Sequence, residues 1–280
     1  MNREPTTVEK LRGLPWSIAT NATNAVFVQL TFFGSVFVLF LNALGLGKSQ
    51  MGFLLSILPF AGLIAPFVAP QVARIGYKRA YILTFGIRNL PAAAIILTPL
   101  VMNRYGQSTT LLFVGVMVGL FSLTRAVGMT GTYPWVQEYV PNAVLGKYTA
   151  ASNGFTTLTG FLAVLAATYT LARVPGIDGF TLLIGVGVVF GMISVALATR
   201  IPGGSPSHEG DGARQRDFRD ALRDRDFLRF LGGLALYTLA ITPLASFVPL
   251  FMRDQVGLSE SNVVLLQLGI MLGGLTTSYL

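Results

Sequence analysis

The sequence predicts an all-α integral membrane protein, and three observations carry that prediction. Hydrophobic residues make up 52% of the 280 residues and charged residues only 11%, where a soluble domain carries roughly 25% charge. The apolar residues gather into long runs, and a helix needs about 20 such residues to cross the hydrocarbon core. Period-2 alternation, the mark of a membrane β-barrel, is absent.

Eight apolar segments are legible, at 17–43, 50–72, 79–101, 109–134, 147–172, 179–199, 227–252 and 262–280. Pro59, Pro66, Pro91, Gly119, Pro243 and Pro249 fall inside them, which membrane helices tolerate where neighbours cover the freed backbone groups. The first segment is longer than a signal-peptide core and has no Ala-x-Ala cleavage site. The eighth stops at Leu280 without a polar flank, so the expectation is a C-terminally truncated chain. Without cysteine there is no disulfide or thiol chemistry, and the single histidine, His208, has no partner set for a metal. No cofactor is expected.

The net charge of +8 follows topology. With the N-terminus inside, 14 of the 20 Lys and Arg fall on the inner side, four lie outside, and Arg88 and Arg125 lie within helices. That is the positive-inside asymmetry. It predicts a cytoplasmic N-terminus in a cell inner (plasma) membrane and a bilayer partner, not nucleic acid.

Three parts follow: a six-helix bundle at 1–200, a polar cytoplasmic connector at 201–226, and the start of a second bundle at 227–280. In the connector, Phe218, Ala221, Leu222 and Arg225 share one face of a surface helix. A shift of 212 residues lays helices 1–2 on helices 7–8: Val36 meets Val248, Gly45 meets Gly257, Leu46 meets Leu258, Ser49 meets Ser261, Leu54 meets Leu266 and Gly62 meets Gly274. Parallel six-helix repeats about an axis along the membrane normal are a transporter plan.

Between helices 2 and 3 stands Ala69-Pro70-Gln71-Val72-Ala73-Arg74-Ile75-Gly76-Tyr77-Lys78-Arg79. With the repeat and connector, this resembles the signature cytoplasmic loop of the major facilitator superfamily of secondary transporters, in its bacterial type. Arg74, Gly76, Lys78 and Arg79 fit that pattern. Ala69 replaces its first Gly and Ala73 its Asp, which puts the family's usual latch in doubt. Arg125-Ala126-Val127-Gly128-Met129-Thr130-Gly131 looks like the family's helix-4 pattern, loosely spaced. The Pro141 to Tyr148 turn also resembles many bacterial members, while the Gly-Pro pair of drug/proton antiporters is missing from helix 5. The resemblance implies a major-facilitator-like bundle and alternating access, with Arg74, Gly76, Lys78 and Arg79 forming a conformational loop.

Candidate substrate-binding residues come from polar groups in apolar surroundings. A charge at the bilayer centre costs about 2.5–3.5 kcal/mol on insertion scales, so Arg88, followed by Asn89, and Arg125 must each meet a cavity, a backbone cluster or an anion. On helix 1, Thr31, Ser35 and Asn42 lie within about 20° of Asn24 at about 100° per residue, with Asn21 about 60° away. This stripe is expected to line a cavity. Asn153 is the candidate on helix 5, where Thr157, Gly160 and Ala167 share its face; Tyr237 and Thr242 on helix 7 are weaker candidates. Phosphate-loop, His-Glu-x-x-His and Gly-x-Ser-x-Gly motifs are missing, so no enzyme is expected. The expectation is a secondary active or facilitative transporter of a small polar or anionic solute, a monomer when full length. A proton or another coupling ion stays open, because no carboxylate lies in a helix core. The competing expectation is a non-transporting multi-pass scaffold or a subunit of a larger assembly.

Overall fold

A computed structural model of the protein describes residues 5–206 and 223–277. The connector face of Phe218, Ala221 and Leu222, the site of His208, the end of the eighth segment at 278–280 and the side chain of Thr242 lie outside the described residues. The described elements are helices: α1 (Thr7–Leu30), α2 (Ser35–Ala43), α3 (Lys48–Phe60), α4 (Ala65–Ile75), α5 (Tyr77–Ala94), α6 (Thr98–Thr130), α7 (Thr132–Tyr139), α8 (Leu145–Arg173), α9 (Ile177–Ala198), α10 (Arg225–Asp254) and α11 (Glu260–Thr277). Five stretches within the first 198 residues are long and apolar enough to cross a membrane. The stretch Tyr77–Tyr139 holds two crossings, because the backbone turns back at Gly106 (φ 79°, ψ −179°).

Helix 1 is shorter than its apolar run predicts. It opens on a capping box, in which the Glu9 backbone N–H donates to the Thr6 hydroxyl (3.3 Å) and the Thr6 N–H to the Glu9 carboxylate (2.7 Å). It does not run on to residue 43. The helix breaks at 31–34, where Thr31 leaves helical geometry (φ −120°, ψ −131°) and Gly34 becomes the N-cap of α2. A Cβ on Gly34 would strike the Gln29 carbonyl, so the doubled-back chain fits only glycine. The stripe from Asn24 to Asn42 therefore does not exist as one helical face.

Close packing around α1 explains the bundle. It lies chiefly against α9 and α8. Its backbone carbonyls accept from both neighbours: Ser194 donates to Thr20 O (3.0 Å) and Thr159 to Ala22 O (2.9 Å). Interhelical bonds of this kind, with small residues at the contact, hold membrane helices together where lipid supplies no hydrophobic drive. An aromatic core fills the centre: Phe32 packs tilted against Phe121 (4.1 Å) and meets Phe37 edge-on (4.8 Å). At the end that carries the loop between α4 and α5, a second core of Tyr81, Phe85, Trp135, Tyr139 and Tyr148 forms. There the Ser17 hydroxyl lies 2.6 Å from Tyr139 and 2.7 Å from Tyr148.

The two turns related by the 212-residue shift share their geometry. Gly45 and Gly257 have φ of 76° and 77°. α3 begins at Lys48 and α11 at Glu260. The bond from Met51 N to Gly47 O and that from Val263 N to Ser259 O are both 3.0 Å. At this end the chain closes: α10 packs on α2 and α11 on α8. Lys48 pairs with Asp254 (3.0 Å), and Leu250, Val263 and Val264 join the core. At the opposite end, the described side chains of α10 up to Ile241 are exposed.

Candidate functional site

The two arginines of the apolar spans have different fates. Arg88, on α5, is 1% exposed. Its guanidinium lies between the rings of Phe85 (3.7 Å) and Phe27 (4.6 Å) and donates to the Asn24 side-chain carbonyl. Two cation–π contacts and one hydrogen bond offset part of the burial cost, though its Nε has no partner among the described residues. The side chain expected to face a cavity is sealed inside the bundle.

Arg125, on α6, is only partly buried. Its guanidinium stands 4.6 Å from the centroid of Phe33, at the break in helix 1. Among the described residues none accepts a hydrogen bond from it, so five donors in a planar fork are uncommitted. The described carboxylates (Glu9, Glu138, Asp178, Asp224, Asp226, Asp254 and Glu260) all sit at helix ends. The centre of the bundle therefore carries two cations and, among the described residues, no acid.

The remaining candidates are largely bonded within the protein. Asn21 donates to Ser152 (3.0 Å), and Asn24 is taken by Arg88. Asn89 is 1% exposed, donates to the Met192 sulfur (3.4 Å) and leaves its carbonyl oxygen without a donor. The Thr31 hydroxyl, 2% exposed, donates back to Phe27 O (2.6 Å). Asn153 is exposed on α8 and stands apart from this group. Tyr237 is also exposed, on α10.

The loop between α4 and α5 is held by the start of the connector. Gly76 takes φ 97°, and a Cβ there would lie 2.8 Å from Gly204 O and 3.0 Å from Pro206 N. Only glycine meets both demands. Lys78 donates to Ile201 O (2.6 Å) and, through its backbone, to Gly204 O (3.3 Å). From α7, Trp135 donates to Pro202 O (3.0 Å) and Glu138 accepts from Gly204 N (2.8 Å). Arg74 and Arg79 are exposed. Ala73, at the position of the family's Asp, is 2% exposed, so a carboxylate there would have to be buried.

The sequence reading missed Phe33, the trio Ser17, Tyr139 and Tyr148, and the docking of 201–206. Phe33 carried one signal, a pair of phenylalanines followed by glycine in an otherwise unbroken apolar run.

A multi-helix bundle of apolar spans around a buried polar centre defines a polytopic membrane protein. Residues 18–280 match the pattern of the Major Facilitator Superfamily, and the chain belongs to that family. No curated protein matches it.

Proposed function

We propose that this chain moves a small polar or anionic solute across a cell membrane by alternating access, with residues 1–200 as one rocking bundle, 201–226 as the connector and 227–280 as the start of the other. The N-terminus is cytoplasmic in this reading, the membrane is the cell inner membrane, and the full-length transporter acts as a monomer.

The observation that carries it is Arg125, a cation inside a membrane span with its donors free. A charge placed in a span at such cost is retained for a function. The packing supports a particular state: the end carrying Lys48 and Asp254 is closed, and the exposed half of α10 lies at the other. With the N-terminus inside, that state opens to the cytoplasm.

Uptake into cells or vesicles containing the protein, measured over a panel of organic anions and sugars, tests the reading. Arg125→Gln is expected to lower uptake of the transported solute at least tenfold at unchanged protein level. Equal uptake by Arg125→Gln and wild type would refute it. Orientation is checked separately with single cysteines in this cysteine-free chain: a Cys at position 79 should resist impermeant maleimide in intact cells.

A further inference from the structure

Among the described residues, four polar groups that could read a sugar-like solute are engaged inside the bundle. Asn21, Asn24, Asn89 and Thr31 each bond to another protein group. The second cation is used as well, since Arg88 is capped by Asn24, walled by two phenylalanines and 1% exposed. It adds positive potential without offering a contact. What remains open is the fork of Arg125 and the ring beside it. Phe33 is 39% exposed. Behind it the aromatic wall continues, with Phe121 6.1 Å from Phe33 and 4.1 Å from Phe32.

A guanidinium fork fits an oxyanion through two parallel hydrogen bonds. An aromatic wall next to that fork takes an apolar or aromatic body and gives a polyol nothing to bond to. Among the described span residues one cation is accessible and no acid is present, which matches a single negative charge on the bound group. We infer that the N-terminal half of this site recognises an amphiphilic organic monoanion, a carboxylate or similar oxyanion joined to an apolar or aromatic body, with Arg125 binding the anionic group and Phe33 packing on the body. The inference rests on the transport reading for the location of the site and narrows its substrate class.

The test uses the membrane-embedded protein and four probes: benzoate, acetate, phthalate and glucose. Binding is read from thermal stabilisation and flux from radiolabel counterflow in proteoliposomes. Benzoate is expected to bind most tightly. Acetate lacks the body, phthalate carries a second charge without a contact, and glucose has neither a charge for Arg125 nor an apolar body for Phe33. Arg125→Gln should weaken benzoate at least tenfold. Phe33→Leu should weaken it about three- to tenfold, the range of an aromatic contact, and Phe33→Tyr should restore it. Phe33 is partly exposed, so these variants are expected to fold.

The outcomes separate the two claims. Benzoate binding that depends on Arg125 and Phe33 but gives no flux keeps the substrate class and overturns transport. Glucose flux without benzoate binding keeps transport and overturns the class. Binding of none of the four overturns the class. Benzoate binding indifferent to Phe33 removes the aromatic contact and with it the amphiphile.

Discussion

Two glycines hold the walls of the buried arginine, and replacing either tests whether Arg88 is a packed structural element. On α6, a Cβ at Gly128 would lie 2.6 Å from two ring carbons of Phe85. On α9, a Cβ at Gly191 would lie 2.7 Å from a ring carbon of Phe27 and 2.5 Å from the Asn89 carbonyl oxygen. Ordinary contact begins at 3.4 Å, so each ring must retreat by about 0.7–0.8 Å, an overpacking of the kind that strains a dense core. Phe85 has no room to do so, because Tyr81 stacks on it at 3.9 Å and the Arg88 guanidinium at 3.7 Å. Overpacking of this kind costs about 1–3 kcal/mol, which at about 2–4 °C per kcal/mol lowers the melting temperature by about 2–12 °C. Gly119→Ala is the control. It sits in α6 with nothing within 4 Å of its Cβ, and Ala there gains about 0.5–1 kcal/mol of helix preference. Melting followed through Trp16 and Trp135 fluorescence reads all three variants. Because both substitutions press on one guanidinium, the double variant should lose less than the sum of the singles. If Gly128→Ala and Gly191→Ala melt with Gly119→Ala, the described packing around Arg88 is wrong.

Three further outcomes are expected. Tyr148→Phe removes a hydroxyl bonded at 2.7 Å to Ser17 and 3.2 Å to Tyr139; it should cost about 1–3 kcal/mol, visible as a lower melting temperature. Lys48→Glu sets two acids together in place of the pair to Asp254, worth about 0.2–1 kcal/mol when exposed; a Cys at Leu250 should then label about 1.5- to 5-fold faster with impermeant maleimide, and adding Asp254→Lys should reverse the gain. Gly76→Ala forces a side chain into φ 97° against Gly204; limited proteolysis within 201–206 should accelerate, and unchanged cleavage would show that this strap is not held by the loop.

The membrane class and the crossings were legible because hydropathy and helix length are local properties. The break at 31–34 was not, because Phe32, Phe33 and Gly34 are as apolar as their neighbours, and a hydropathy window passes over them. Arg125 was legible as a cation without a local counter-charge. Arg88 looked the same in sequence, and only tertiary packing separates the two. The residues that seal Arg88 come from α1 and from one turn earlier on its own helix, and nothing in the spacing of Asn24 and Phe27 announces that they will meet it. The connector's docking was hidden for a different reason: nothing in Pro202-Gly203-Gly204 marks a docking segment, yet the Pro202 carbonyl accepts from Trp135, and the Gly204 carbonyl and N–H are the partners of Lys78 and Glu138.

The split between the arginines leads to a test of what a sealed charge does. Removing one partner of a buried charged pair leaves the other unsatisfied, while replacing both by apolar groups of similar volume is often neutral. Arg88→Met alone strands the Asn24 carbonyl and should cost about 1–3 kcal/mol; Arg88→Met with Asn24→Leu should recover most of that stability. The double variant then keeps the bundle while deleting one of its two central cations. If Arg88 serves only packing, anion binding at Arg125 will be unchanged in this variant. Because both guanidinium groups stand in one bundle with no acid among the described span residues, and unscreened charges add to the local potential, the expected result is the opposite. Benzoate should bind severalfold more weakly, with a shallower dependence on salt, although nothing that touches it has been altered. Equal affinity and equal salt dependence in a well-folded double variant would show that Arg88 has no share in the field that attracts the anion.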